Sequence, residues 1–297
     1  MTEVETPLET PLETPLETPL GVDISLSGEA DLIEHNNDYV FEFRTVQSGA
    51  FRVLIEALKE ILTDANFQLD ETGIKLMAMD PSHTILVHLK LDAEHFEYYK
   101  CLKSMTIGIN MLNLFKLIKT MNNSDYLSFF IDKNNNNKLG IKINNCEKKV
   151  ETVYYLNLMD LQESQISIPP AVFESVITIP SSDFQKLMRD MTNIGEKVEI
   201  KSIGEQLQFS CFGDFASQET IMQPTQHGIH FVKNEDPSLI IQGQFPLKFL
   251  ILFTKCTNLC NSIELYIKND YPLIIRYKVA NLGEIKLCLA PIANDCK

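Results

Sequence analysis

Residues 48–62 read Ser-Gly-Ala-Phe-Arg-Val-Leu-Ile-Glu-Ala-Leu-Lys-Glu-Ile-Leu. Phe51, Leu54, Ile55, Leu58, Ile61 and Leu62 fall at helical period, so the spacing predicts a short amphipathic helix. Arg52 and Lys59 lie off its apolar stripe. Upstream, Val40-Phe41-Glu42-Phe43-Arg44 alternates as a strand does, and ordered structure is expected to begin near Tyr39. Downstream, Ile74, Leu76 and Ala78 share one strand face, and Thr84 to Leu91 reads as another strand. A second helix, carrying Lys116 and Lys119, is expected from Met111 to Met121. The polar run Asn134–Asn137 is expected to be a hairpin loop.

The second half repeats this order. Ser181 or Ser182 is placed to cap a third helix, with Phe184, Leu187, Met188 and Met191 as its buried stripe. Lys186 and Arg189 fall nearly opposite that stripe. A strand with Leu207, Phe209 and Cys211 on one face follows. Pro246 is expected as the first residue of a fourth helix, which bears Lys248 and Lys255. Leu207 stands 133 residues after Ile74, and Lys248 stands 132 after Lys116. Matching offsets imply an internal duplication. The reading is an α+β fold of two similar domains, 39–154 and 174–292, joined by a connector at 155–173. A short tail, 293–297, closes the chain.

Four helices with paired cations are notable because the chain is acidic, with net charge -14. Such an arrangement points the cations at a polyanion such as nucleic acid. The first 38 residues hold ten Asp/Glu and no Lys or Arg, leaving 30 acids against 26 bases in the body. Diffuse attraction alone is therefore a poor way to hold DNA. The opening segment repeats Glu-Thr-Pro-Leu with prolines at 7, 11, 15 and 19, which excludes a regular helix. It is read as a disordered acidic tail. Glu56 is expected to neutralise part of the charge of Arg52 and Lys59. The connector, acidic and apolar by turns and containing Pro169-Pro170, is expected to cross the surface and offer a docking edge.

Several stretches match a known family. They are Glu-Ala-Leu-Lys at 56–59, Leu-Met-Ala-Met-Asp-Pro-Ser-His at 76–83, and Leu-Met-Asp-Leu at 158–161. Ile-Pro at 168–169, Phe-Thr-Lys at 253–255 and Leu-Ala-Pro at 289–291 complete the set. In this order, on a duplicated scaffold, the chain resembles the proliferating cell nuclear antigen family of DNA sliding clamps over about residues 39–292. The resemblance implies a homotrimeric ring, with sheets outside and helices lining a hole threaded by duplex DNA. Arg52, Lys59, Lys116, Lys119, Lys186, Arg189, Lys248 and Lys255 would face that hole, and Lys100 and Lys103 would lie on a loop turned towards DNA. The expected partners are DNA polymerase and other replication or repair proteins, an ATP-dependent clamp loader, and further copies of the chain. Partner peptides would dock on Met79, His83, Leu86, Ile166, Ile168, Pro169, Pro272, Ala290 and Pro291. Cys288, Thr84 and Pro81 depart from the family's common Tyr, Val and small polar residue. Leu139–Ile143 and a segment after Met191 are the strands expected at the subunit edges.

No catalysis, cofactor or metal is expected. Cys256 and Cys260 lack a second pair to complete a tetrahedral site, and His227 and His230 stand apart from them. Phosphate-loop, nucleophile-elbow and zinc-protease motifs are missing. Seven scattered cysteines suit reduced thiols, and no apolar run is long enough to span a bilayer. Alternatives within the fold are a subunit of a heterotrimeric checkpoint-type clamp or a clamp-like factor that does not close. Outside it, the alternative is a DNA-metabolism enzyme on an unrelated α+β scaffold. Richness in Asn, Lys and Ile suits a protist or a large DNA virus, and the expected location is the nucleus or a cytoplasmic viral replication site.

Overall fold

The computed structural model describes residues 38–162, 166, 171–234, 236 and 238–292. The acidic repeat tail and residues 293–297 lie outside them. The first repeat opens with β1 (Tyr39–Thr45), α1 (Ser48–Ile61), β2 (Asp64–Asp70), β3 (Gly73–Met79) and β4 (Ile85–Asp92). It continues through β5 (Tyr98–Cys101), β6 (Met105–Asn110), α2 (Met111–Ile118), β7 (Tyr126–Asp132), β8 (Asn135–Asn145) and β9 (Val150–Asn157). The second repeat begins β10 (Ser175–Pro180), α3 (Ser181–Thr192), β11 (Lys197–Ile203), β12 (Gln206–Phe212) and β13 (Ser217–Met222). Then come β14 (His230–Asn234), β15 (Ile241–Pro246), α4 (Leu247–Phe253), β16 (Ser262–Ile267), β17 (Leu273–Val279) and β18 (Gly283–Leu289).

The stripes read from periodicity are the core. Phe51, Leu54, Ile55 and Leu58 of α1 and Phe184, Met188 and Met191 of α3 are buried in one apolar cluster. Leu207, Phe209 and Cys211 of β12 join it with no exposed surface. Helix α1 packs on α2, α3 packs on α4, and α1 also meets α4 across the repeat boundary.

Strand pairing repeats with the sequence. In the first repeat β5-β1-β7-β8-β9 run side by side, as β14-β10-β16-β17-β18 do in the second. The run β6-β2-β3-β4 likewise matches β15-β11-β12-β13. One antiparallel pairing fuses the repeats: β18 lies on β4, from Gly283↔Leu91 to Leu289↔Ile85. This makes a nine-stranded sheet whose backbone hydrogen bonds cross the repeat boundary.

Several local expectations shift. Neither Ser181 nor Ser182 caps α3, because Pro180 holds that position. The buried Ser181 hydroxyl instead donates to Cys260 O at 2.6 Å, and Ser48, 133 residues earlier, donates to Asn122 O at 3.0 Å. Both small side chains fit a helix start wedged beneath a neighbouring turn. Pro246 ends β15, one residue before α4 rather than first in it. Helix α2 stops at Ile118, and Lys255 lies on a 3-10 turn, Thr254–Leu259, instead of an α-helix. Of the run 134–137 only Asn134 is in the turn. Asp132 pairs with Asn135, and the Asp132 carboxylate accepts from the Asn134 amide at 2.7 Å. Of the strands expected at subunit edges, β8, which holds Leu139–Ile143, is interior, between β7 and β9; of the strands that follow Met191, the first, β11, lies between β12 and β15, and β13 is at the edge. Hydrophobic content led to them, since β8 and β11 are the better buried strands, whereas an edge carries more exposed residues.

Candidate functional site: cationic helices and a cleft beside the connector

The helices hold their apolar faces on the core, so their remaining faces carry the cations. Lys116, Lys119, Lys186, Arg189, Lys248 and Lys255 are exposed. Arg52 and Lys59 are only half-exposed. Arg52 Nη2 donates to Asn123 Oδ1 at 3.1 Å, which ties α1 to the turn after α2. Lys59 pairs with Glu60, not Glu56, and its ammonium lies 4.7 Å from the centre of the Phe115 ring on α2. These two therefore brace helices as well as add charge. Lys100 stands in the short strand β5 opposite Glu42 rather than in a loop, while Lys103 is exposed in the turn that follows.

Between β3 and β4, the Asp80-Pro-Ser-His-Thr turn is built on one carboxylate. Asp80 is buried and accepts from the amides of Ser82, Thr84 and Ile85 at 3.0, 2.7 and 2.6 Å, and from the Ser82 hydroxyl. Burial alone would raise its pKa. The amide and hydroxyl donors outweigh it and hold the carboxyl below the usual range. The turn closes with His83 in the left-handed region, φ 54°, side chain exposed.

The start of the connector is pinned to β6. The Met159 amide donates to Gly108 O at 2.9 Å, and Asn66 Nδ2 reaches Leu161 O at 3.4 Å. Position 108 must be Gly: a Cβ there would lie 2.4 Å from Met159 O. Pinning leaves a cleft of about 640 Å³ between the connector and the sheet. Met79, His83 and Ile166 border it, with Leu161, Gln162, Asn66 and Asp64. Leu86 is absent from the cleft lining but lies directly across from Met79 on one side and Cys288 on the other. Burial pushes the Cys288 thiol up to about 11, so it packs as a small neutral side chain. Ala290, whose amide donates to Thr84 O at 3.4 Å, and Pro291 and Pro272 stand at this same end of the sheet. Ile168 and Pro169 lie outside the described residues.

The sequence reading missed Gly108, Asn66, Asp80 and Leu161. An isolated Gly in a strand was the available signal for a close backbone approach. Among the described residues no group of three or more His, Cys, Asp or Glu side chains is placed to hold a metal ion. Burial drives the fully enclosed Cys256 thiol up, and the half-buried Cys260 thiol with it.

Comparison with known proteins places this arrangement. Residues 40–165 match the family model of the proliferating cell nuclear antigen N-terminal domain, and residues 167–292 match that of its C-terminal domain. The chain belongs to the proliferating cell nuclear antigen family. A probable DNA polymerase sliding clamp of Paramecium bursaria Chlorella virus 1 is 34% identical over 263 residues, covering 87% of this chain and 99% of that protein. The two family domains meet within the connector, between the two structural repeats.

Proposed function

We propose that this protein is a DNA sliding clamp, a polymerase processivity factor that encircles duplex DNA as a ring of three copies. Membership of the family and the resemblance of the whole folded chain to a viral clamp support the activity. One observation supports the ring. Among the described residues every strand pairing of one repeat has its counterpart in the other, except that β4 lies on β18 while the counterpart strands, β13 and β9, are open edges. An edge on each side, complementary and non-identical, makes a head-to-tail contact of the kind that closes rings. Three copies of two repeats give six similar segments.

In this reading the exposed cations of the four helices face the duplex. They need only be weak, because a closed ring stays on by enclosure, and equivalent phosphates give no preferred stopping place. The cleft beside the connector takes an apolar and aromatic plug from a polymerase or repair protein, whose effective concentration at the primer then rises. The clamp has no catalysis of its own, and a separate ATP-dependent loader opens it. Among the described residues no helix is long and apolar enough to cross a membrane. The place of work is where the duplex is copied, in the nucleus or at a viral replication site.

Light scattering should give the mass of three chains, and loaded protein should persist on nicked circular DNA but run off once the circle is cut. Equal retention on both forms would overturn the proposal.

A further inference from the structure

We infer that the joint between copies is closed on its outer face by an aromatic row, with Phe212 of one copy against Tyr155 of the next. This rests on the ring reading above and adds to it which side chains hold the ring and in what register.

The register follows from the duplication. At the joint inside the chain, the outward-facing residues Tyr266, Ile274, Cys288, Leu86 and Met79 stand side by side across five strands. Aligning the repeats by their core residues sets Ile141 on Ile275 and Phe209 on Leu76. Phe130, Gly140 and Tyr155 then take the places of Tyr266, Ile274 and Cys288, because they are cross-strand partners in the same way. Ser217 and Phe212, themselves partners, take the places of Leu86 and Met79. The Cys288↔Leu86 pair of the internal joint therefore becomes Tyr155 opposite Ser217 of the neighbouring copy. The complete row is Phe130, Gly140, Tyr155, then Ser217 and Phe212 of the neighbour.

Large and small residues alternate along that row, and half of the pattern is already built. The Phe130 and Tyr155 rings straddle Gly140 with centroids 6.1 Å apart, edge to face. A Cβ at Gly140 would lie 2.2 Å from the Phe130 ring. Ser217 is the next small residue, and the ring beyond it is Phe212. The rings on either side of the joint are bare in the single copy: Tyr155 is 63% exposed and Phe212 72%. Phe212 is also held in place, because its hairpin sits tightly on the end of α3. A Cβ on Gly213 would lie 1.7 Å from Ile194 O, and one on Gly195 would lie 2.6 Å from Phe212 O. An exposed ring one strand in from an open edge, on a backbone packed this closely, has the properties of an interface anchor. The corresponding position at the internal joint is Met79, which borders the partner cleft. The site that stays open for a peptide inside each copy is filled between copies by the protein's own rings.

The chain contains no Trp, so Phe212→Trp reports on this position alone. Its emission should be blue-shifted in the full-length assembled protein and move to the red on dilution into single copies. Phe212→Ala and Tyr155→Ala should each raise the dissociation constant between copies on the order of tenfold, with the double variant less than multiplicative. An emission maximum unchanged by dilution across dissociation, or unchanged dissociation in both alanine variants, overturns the aromatic row. A wild-type protein that never assembles overturns the ring reading instead.

Discussion

Gly108→Ala tests whether the partner cleft depends on how the connector is seated. The added Cβ would meet Met159 O at 2.4 Å and Leu161 Cγ at 2.9 Å. The nearer obstacle is backbone, so the connector must move by roughly an ångström or β6 must distort; overpacking of this kind costs about 1–3 kcal/mol. Movement also breaks the 2.9 Å bond from the Met159 amide to Gly108 O, a further net loss of about 0.5–1.5 kcal/mol. The long Asn66 contact to Leu161 O adds little to hold it. About 2–4 kcal/mol is thus set against the seated connector, and Leu161 and Gln162 leave the cleft wall. Peptide affinity scales with the seated fraction, so a loss of about tenfold or more is expected. The assay is fluorescence anisotropy with a labelled consensus clamp-binding peptide, alongside hydrogen exchange of the Met159 amide. Gly228→Ala is the control, since its Cβ meets only the Thr225 side chain. An unchanged affinity together with an undiminished protection of Met159 would refute the reasoning.

Three further outcomes follow from named contacts. Lys186→Glu combined with Lys116→Glu reverses two exposed cations, so polymerase stimulation on primed DNA should fall several-fold while the assembled mass is kept; unaltered stimulation counts against a DNA-facing helix layer. Asp80→Asn keeps one side-chain oxygen but turns the other into a donor, so either the Ser82 amide or the Thr84 and Ile85 amides lose their acceptor, and stability should fall by about 1–3 kcal/mol in urea melts. The Asp80 carboxyl titrates lower when folded, so its contribution is complete above about pH 4, the usual carboxylate range, and is lost as pH falls through the folded value; the variant should show a shallower acid limb. By the register of the subunit joint, Val153 faces Glu219 of the neighbour, as Lys286 faces His88 inside the chain. Val153→Glu should therefore weaken assembly about threefold or more and Val153→Lys should not, as sedimentation at graded concentrations would reveal.

The duplication was legible because the core is. Apolar residues recur with the same period and offset in both halves, and burying them decides helix faces and strand faces alike. The exposed cations could be read for the same reason, as what the stripe leaves outside. What escaped the sequence was anything fixed by an unlike neighbour. The sequence reads Lys59 as a cation partly offset by Glu56, but it pairs with Glu60, and Phe115, 56 residues on, lies under its ammonium. Leu139–Ile143 was misassigned to an edge because an edge is defined by what fails to pair, and side-chain pattern does not report that. Gly108 and Asp80 act through backbone amides and carbonyls, which every residue carries. Only the oddity of a lone Gly inside a strand, or an Asp before Pro, hints that the backbone is engaged.

In the proposed ring the two joints face different demands, and their chemistry differs accordingly. Inside the chain β4 and β18 are held together by the polypeptide, and their outer face bears an ionic ladder of Lys90 with Asp92, Lys286 with Glu284, and Arg276 with Glu284 and Glu264. Half-exposed pairs of this sort add modestly to stability and are partly screened by salt. Between copies of the proposed ring the polypeptide supplies no link, and that joint would open to admit DNA. Apolar and aromatic contact suits it, since its strength does not fall with ionic strength as phosphate contacts do. Raising salt from about 0.05 to 0.5 M should thus abolish binding of open copies to linear duplex, where contact with phosphates is the sole attraction. Rings already closed on circular DNA should remain, and their dissociation into single copies should change less than twofold. If salt released the rings from circles as readily as it released protein from linear DNA, the charges would be holding the ring shut, and the division of labour between the joint and the helices argued from these contacts would be wrong.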